Sequence, residues 1–181
     1  MAPDFQTRDN MVGWIDTPRR HLKPIDEDTC SMQKHGLHFE DFQPGPCCRT
    51  DRRTLTEADH VNFTTSCGFF EPLFMDRDYV ATQTPYKRPI IPGTLTFAVA
   101  EGLTILSGIF HATGIALLGV DLTILAPVFI GDSIAVDIEV LEKRETKKPD
   151  RGIVTFRHRV INQAGTPVME YTVKRMIRRK S

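Results

Sequence analysis

One loop of the sequence combines a carboxylate with three aromatic rings, because Phe69, Phe70, Glu71 and Phe74 stand close together. A carboxyl group among apolar neighbours has a raised pKa, and a pKa near neutrality suits a general acid or base. The sequence therefore makes Glu71 the candidate catalytic residue. The alternative interpretation is that Glu71 pairs with a basic residue or faces solvent, which is the commoner situation for a glutamate.

Other titratable and thiol groups carry weaker signals. His158 falls on the apolar side of a predicted strand and is interpreted as a hydrogen-bonded core residue. Asp76 is interpreted as a helix cap. The cysteines fit no zinc spacing and are interpreted as reduced thiols, so neither a metal nor a cofactor is expected. These cysteines are Cys30, Cys47, Cys48 and Cys67.

A long helix is predicted to follow Pro92 and Gly93. Apolar residues recur at spacings of three and four from Leu95 to Phe110, and the positions between them are mostly small or apolar. Such a helix is apolar nearly all round, so it is expected to be buried. Glu101 is its one formal charge, and we interpret it as a carboxylate near the helix end or at a dimer interface.

Shorter elements come before the long helix. Residues 50–55 are predicted to form a strand. Thr56 is predicted to cap a short helix that ends near Phe63, with Asp59 in the first turn, where the helix dipole favours an acid. A further short helix is predicted over residues 77–81, so small elements lead into the long helix.

Beyond Gly114 the period of the hydrophobic pattern changes to two. Apolar and polar residues alternate over 133–140, 154–160 and 169–177, with turn sequences between these segments, and another strand is predicted over 115–125. Alternation of this kind is typical of half-buried antiparallel strands. One long buried helix and a run of such strands predict an α+β fold with a curved sheet wrapped around the helix.

Whole-chain properties exclude several classes of protein. The 181 residues carry 23 basic and 23 acidic side chains, which lacks the basic excess of a sequence-independent nucleic-acid binder. The sequence has neither an uninterrupted apolar run of about 20 residues nor an apolar signal segment, so we expect a cytoplasmic protein without a membrane partner. Residues 1–45 are expected to form an arm, anchored by Trp14-Ile15 and Leu37-His38-Phe39, on a domain over 46–181.

Four segments, taken together, resemble the MaoC-like hydratases and dehydratases. Their order and spacing match that family over residues of about 48 to 178, and they read TLTEAD at 54–59, PLFMDRDY at 72–79, RPIIPGTL at 88–95 and LAPVFIGD at 125–132. The resemblance implies the hot-dog fold, in which an antiparallel sheet wraps a long central helix. It also implies dimers and acyl-CoA or acyl-carrier-protein thioester substrates.

The resemblance implies a reaction that adds water to an enoyl thioester or removes it, with an aspartate and a histidine as the acid–base pair. Phe69 and Phe74 stand at those two positions here, and neither transfers a proton. In the family a backbone N–H at the start of the central helix stabilises the thioester oxygen. Gly93 and Thr94 keep that position, although Pro92 replaces a histidine found in many members. The resulting substrate-binding candidates are Phe69, Phe70, Phe74, Pro92, Gly93 and Thr94.

Three functions stay open on this sequence. The first is a hydro-lyase, an enoyl-thioester hydratase or 3-hydroxyacyl-thioester dehydratase, with a substitute catalytic group such as Glu71. The second is a catalytically silent subunit beside a second hot-dog protein, in place of a simple homodimer. The third is an isomerase or cyclase that acts on a hydrophobic, polyketide-like substrate.

Two further signals bear on these functions. Related acyl-carrier-protein dehydratases carry a glutamate at the position of Ala98, so Glu101 lies one turn too far along the helix to match it. Lys87, Arg88 and the basic tail 174–180 are candidates for contact with CoA phosphates or an acidic carrier protein. A solvated edge strand is the alternative interpretation of the tail.

Overall fold

The computed structural model describes residues 36–180, which form short elements followed by one long helix and four long strands. The short elements are strands β1 (Gly45–Arg49) and β2 (Arg53–Thr54) and helices α1 (Glu57–Cys67), α2 (Pro72–Met75) and α3 (Arg77–Gln83). The long elements are helix α4 (Gly93–Leu106) and strands β3 (Gly114–Ile124), β4 (Ser133–Glu145), β5 (Arg151–Asn162) and β6 (Pro167–Arg178).

The strands form one antiparallel sheet in the order β1-β4-β5-β6-β3, and β2 also pairs with β4. Inward residues of β4, β5 and β6 and one side of α4 make the hydrophobic core. This arrangement confirms the predicted α+β hot-dog fold and the half-buried antiparallel strands. No helix within residues 36–180 combines the length and the apolar character needed to cross a bilayer.

The predicted helix caps are confirmed. The Thr56 hydroxyl accepts a hydrogen bond from the backbone N–H of Asp59, while the Asp59 carboxylate accepts one from the backbone N–H of Thr56. The side chain of Asp76 accepts hydrogen bonds from two backbone N–H groups in the first turn of α3. Helix α1 continues beyond its predicted end, to Cys67. It stops there because Gly68 takes a left-handed conformation, with a φ of 72°.

The predicted strand over residues 50–55 is confirmed only in part. Strand β1 ends at Arg49, and within 50–55 only Arg53–Thr54, which form β2, belong to the sheet. Thr50 interrupts the ladder: its backbone N–H donates to the carbonyl of Val136, and its hydroxyl accepts from the backbone N–H of Val136, both at 2.9 Å. The hydroxyl therefore replaces a backbone carbonyl, which leaves the chain free to leave the sheet.

The long helix is shorter and less buried than predicted. Helix α4 ends at Leu106, and Gly108 follows with a φ of 79°, a conformation that favours glycine and stops the helix before Phe110. Ile105 and Leu106 are 62% and 80% exposed. Within the described chain, the end of α4 therefore presents apolar side chains that no other element covers.

The start of the described chain packs on the sheet through Phe39. The Phe39 ring packs so closely on Gly152 that a Cβ at position 152 would lie 2.3 Å from a ring atom. Only 5% of Phe39 is exposed. This contact fits the predicted Leu37-His38-Phe39 anchor. The other predicted anchor, Trp14-Ile15, lies outside the described residues, as does Cys30.

Candidate functional site

The N-terminus of α4 presents backbone N–H groups that have no partner within the helix. Pro92 precedes the helix and provides no capping side chain, and the N–H of Thr96, bonded to the carbonyl of Pro92, is the first to join the helical ladder. The N–H groups of the first turn, at Gly93, Thr94 and Leu95, precede that bond. They point along the positive end of the helix dipole, so they can stabilise a developing oxyanion.

Close packing against β3 explains the glycine at this helix start. A Cβ on Gly93 would lie 2.3 Å from Cδ1 of Ile124, so a larger residue would displace the side chain at the end of β3. Pro92 is buried and Thr94 is exposed. The three predicted binding residues therefore lie together at one end of α4, where Gly93 packs closely against Ile124 of β3.

Phe69 and Phe74, which the sequence resemblance predicts at the acid–base positions, contact each other. The ring centroids of Phe69 and Phe74 are 5.8 Å apart, and Phe63 of α1 lies 5.2 Å from Phe69. Phe63 also packs against the hydrophobic core. The three rings form an apolar cluster that offers no group for proton transfer. Phe70 is 64% exposed and does not belong to the cluster.

Glu71 does not have the apolar surroundings that the sequence suggested. It is exposed, and it precedes α2 as the N-cap residue, where its carbonyl accepts hydrogen bonds from the N–H groups of Phe74 and Met75. The expectation of a carboxyl buried among rings is wrong because the backbone turns into α2 at the surface and carries Glu71 outward.

A pocket of about 260 Å³, here called the groove, lies beside α4, and its lining is apolar except for Arg53. The lining residues are Arg53, Ala98, Val99, Gly102, Leu103 and Leu106. Because its lining is mostly apolar, this groove suits an alkyl chain.

Arg88 lies five residues before α4, with its guanidinium carbon 3.7 Å from the ring centroid of Phe129. It also contacts Asp132 at 4.0 Å, and its side chain remains 58% exposed. Stacking holds the side chain in place while leaving charged N–H groups open to solvent. Arg88 is therefore a positioned cation near the N-terminal end of α4.

A second group of polar residues lies between α4 and the sheet and comprises Glu101, His158, Tyr171 and Arg175, here called the polar cluster. The Tyr171 hydroxyl donates to Oε1 of Glu101 at 2.8 Å, and Nδ1 of His158 lies 2.9 Å from that hydroxyl and 3.4 Å from Oε1. Arg175 forms an ion pair with Oε2 of Glu101. The His158 side chain is fully buried, and those of Glu101 and Arg175 are 13% and 12% exposed.

Burial and pairing set the charges of the polar cluster. Burial raises the pKa of Glu101, but hydrogen bonds from His158 and Tyr171 and the charge of Arg175 outweigh it and lower the pKa to about 2. Burial lowers the pKa of His158 below its usual value and raises that of Tyr171, which the Glu101 charge raises further. The cluster therefore holds one carboxylate, one guanidinium, a neutral imidazole and a neutral phenol.

Sequence reasoning found two members of the polar cluster but not the cluster itself. The interpretation of His158 as a hydrogen-bonded core residue is confirmed. Glu101 joins it from α4, while Tyr171 and Arg175 were not singled out. Alternation placed His158 and Tyr171 on inward faces of neighbouring strands, and the register between β5 and β6 sets them directly opposite. That register was the signal that could have revealed the pair.

Comparisons with known proteins agree with this geometry. Residues 41–162 match the family model described as "MaoC like domain". The chain is 35% identical over 129 residues to the (R)-specific enoyl-CoA hydratase of Aeromonas caviae, an alignment that covers 71% of this chain and 90% of that protein.

Solved structures show the same fold. The X-ray structure of a monoamine oxidase regulatory protein from Archaeoglobus has a TM-score of 0.74 and 34% sequence identity, covering 83% of this chain and 99% of that one. The (R)-hydratase from A. caviae, which is involved in PHA biosynthesis, has a TM-score of 0.59 and 26% identity over 78% of this chain and 99% of its own.

Proposed function

The chain belongs to the MaoC-like domain family, and on that premise we propose that it binds acyl thioesters at the N-terminus of α4. The observation that carries this proposal is the uncapped first turn of α4, where Gly93 is held against Ile124. The N–H groups of this turn donate hydrogen bonds to the thioester oxygen, whose negative charge increases during reaction at the α,β bond.

We further propose that the water-handling half of the site is altered. Phe69 and Phe74 occupy the positions of the family's acid–base pair, and their rings contact each other 5.8 Å apart. If the protein is a hydratase or dehydratase, a substitute group must move the proton, and Glu71 is the nearest carboxylate in sequence. Its exposure allows a thioester approaching from solvent to reach it.

An enoyl-CoA assay tests this reading. Purified protein is mixed with crotonyl-CoA and longer enoyl-CoAs, and the loss of the enoyl absorbance is followed. Turnover that disappears in Glu71→Gln supports a hydro-lyase with a substitute acid–base group. Asp51→Asn, which removes another exposed carboxylate, is the control. Failure of the protein to bind any acyl thioester would refute the proposed function.

The phenylalanine pair itself favours a second candidate, a silent subunit beside an intact hot-dog enzyme. That candidate predicts no turnover alone and turnover when the second protein is added. A repurposed isomerase or cyclase predicts no hydration in either assay and a bound apolar metabolite that mass spectrometry detects. The three outcomes are mutually distinct.

The acid–base positions can be tested by reconstruction. Phe69→Asp combined with Phe74→His should create measurable hydration, because it restores a proton-carrying pair beside an unchanged α4 N-terminus. A double variant that folds and binds acyl-CoA but stays inert would contradict the assignment of these two positions. The single variant Phe70→Asp is the control, since Phe70 lies outside the ring cluster and should gain no activity.

We propose that the chain acts as a homodimer, with CoA or a carrier protein as the thioester carrier. The support is the apolar surface of β3 and of the end of α4, which the described chain leaves uncovered. Sedimentation velocity measures the assembly, and a monomer at micromolar concentration would contradict it. Loss of CoA affinity in Arg88→Ala would favour CoA over a carrier protein. The exposed apolar residues of β3 are Ile115, Leu117, Leu118, Val120 and Ile124.

A further inference from the structure

The hydrogen bonds of the polar cluster determine which nitrogen of His158 carries the proton. An ionised Glu101 can only accept, and the single hydroxyl proton of Tyr171 is donated to Oε1 of Glu101. The oxygen of Tyr171 is then free to accept, so Nδ1 of His158 must be the donor across the 2.9 Å contact. His158 is neutral, which leaves Nε2 with a lone pair and no proton.

Two buried polar atoms of the polar cluster lack a partner among the described residues. One is Nε2 of His158, an acceptor, and the other is Nε of Arg175, whose N–H is a donor. The side chain of His158 is fully buried. A buried donor or acceptor without a hydrogen bond costs about 1–3 kcal/mol, so a group that pairs with either atom binds favourably.

From these leftover atoms we infer that the polar cluster is a binding site for a hydroxyl group. A hydroxyl both donates and accepts, which matches one free acceptor and one free donor. The cluster holds one negative and one positive charge, so it offers no net attraction to a carboxylate or an ammonium group. Two sources provide a hydroxyl: an internal water molecule, or an alcohol on the acyl chain of a bound thioester.

The second source rests on the proposed function. Glu101 follows Gly93 by eight residues, or about 12 Å along the axis of α4, and its side chain leans back toward the N-terminus. An acyl chain of about eight carbons spans that separation when its thioester oxygen lies at Gly93.

Nitrogen NMR of the imidazole tests the inference directly. In protein labelled with ¹⁵N, the non-protonated Nε2 of His158 resonates far downfield of Nδ1–H and moves upfield when it accepts a hydrogen bond. Spectra are recorded without ligand, with octanoyl-CoA and with 8-hydroxyoctanoyl-CoA. Magnetisation transfer from water to the ring protons reports an internal water, while calorimetry gives the two affinities.

Each source gives its own result. A hydrogen-bonded Nε2 with water contact in the free protein, unchanged by either ligand, assigns the site to water. An upfield shift of Nε2 that appears with 8-hydroxyoctanoyl-CoA alone, with at least about tenfold tighter binding than octanoyl-CoA, assigns it to the acyl alcohol. The signals that report a bound water are recorded on the free protein, so they can be observed even if no thioester binds. Failure of the proposed function can therefore be distinguished from failure of the hydroxyl site.

Two variants and a matched control complete the test. Arg175→Lys keeps the charge beside Glu101 but removes the Nε donor, so it should weaken hydroxyl binding and move Nε2 downfield. Tyr171→Phe should leave the proton on Nδ1, because Oε1 of Glu101, 3.4 Å away, still accepts from it. Arg159→Lys, which alters an ion pair with Glu170, should change neither signal. A proton on Nε2, or an Nε2 without a hydrogen bond under every condition, would overturn the inference.

Discussion

Replacing Glu101 by alanine should destabilise the fold strongly, because the substitution leaves the Arg175 guanidinium without its carboxylate partner. Their side chains are only 13% and 12% exposed. Removing one member of a buried pair costs about 3–5 kcal/mol, and partial exposure places this case near the lower end. The Tyr171 hydroxyl also loses its acceptor, which adds about 1 kcal/mol. We therefore expect a loss of about 4 kcal/mol.

Urea unfolding followed by circular dichroism measures this loss. With a denaturant dependence of about 2 kcal/mol per molar urea, the midpoint should fall by about 2 M. Glu101→Gln should lose less, since the amide oxygen still accepts from Tyr171. The control Glu139→Ala breaks the Arg157 pair, whose side chains are 26% and 29% exposed, and should cost about 1 kcal/mol at most. A Glu101→Ala variant as stable as that control would refute the role assigned to the polar cluster.

Three further predictions follow from geometry. The pKa of Glu101 is about 2 in the folded protein, below its ordinary value of 4.5. The contribution of Glu101 to stability is therefore complete above pH 4.5 and disappears as the pH falls toward 2. Urea midpoints should drop over that window, and they should drop less steeply in Glu101→Gln. Gly93→Ala should weaken acyl-CoA binding and lower the melting temperature, because its methyl group would collide with Ile124. Adding Ile124→Ala to the same chain should restore stability. If the two substitutions instead lower the melting temperature additively, the contact between these residues is contradicted. Thr56→Ala should cost about 1 kcal/mol in calorimetry, and an unchanged melting temperature would contradict the cap.

The overall fold was predictable because its signals are local and repeated. Alternation over β4, β5 and β6 and the three-and-four spacing in α4 directly report which side of each element is buried. The break at Thr50 was not predictable, because a side-chain hydroxyl that replaces a carbonyl leaves no trace in the hydrophobic pattern. The end of α4 was misplaced because Gly108, which adopts a positive φ, reads in sequence as one more small helical residue.

The candidate site was predictable only in part. Motif spacing located Gly93 at the start of α4. The assignment of Phe69 and Phe74 to the acid–base positions stays a prediction. The exposure of Glu71 depends on the direction in which α2 leaves that loop, which residue types do not specify. The polar cluster was hidden because its members come from α4, β5 and β6, and each residue alone resembles an ordinary core or surface residue.

The contact between Phe39 and Gly152 bears on where the folding unit begins. The ring fills a space that any side chain at position 152 would occupy, and the Lys143 ammonium and the Arg179 guanidinium lie 4.7 and 5.3 Å from its centre. A chain cut just after Phe39 would therefore expose bare backbone on β5 and deprive two cations of their aromatic neighbour. Phe39 is therefore part of the packed interior, so shortening the protein to its strands and helices would remove a piece of that interior.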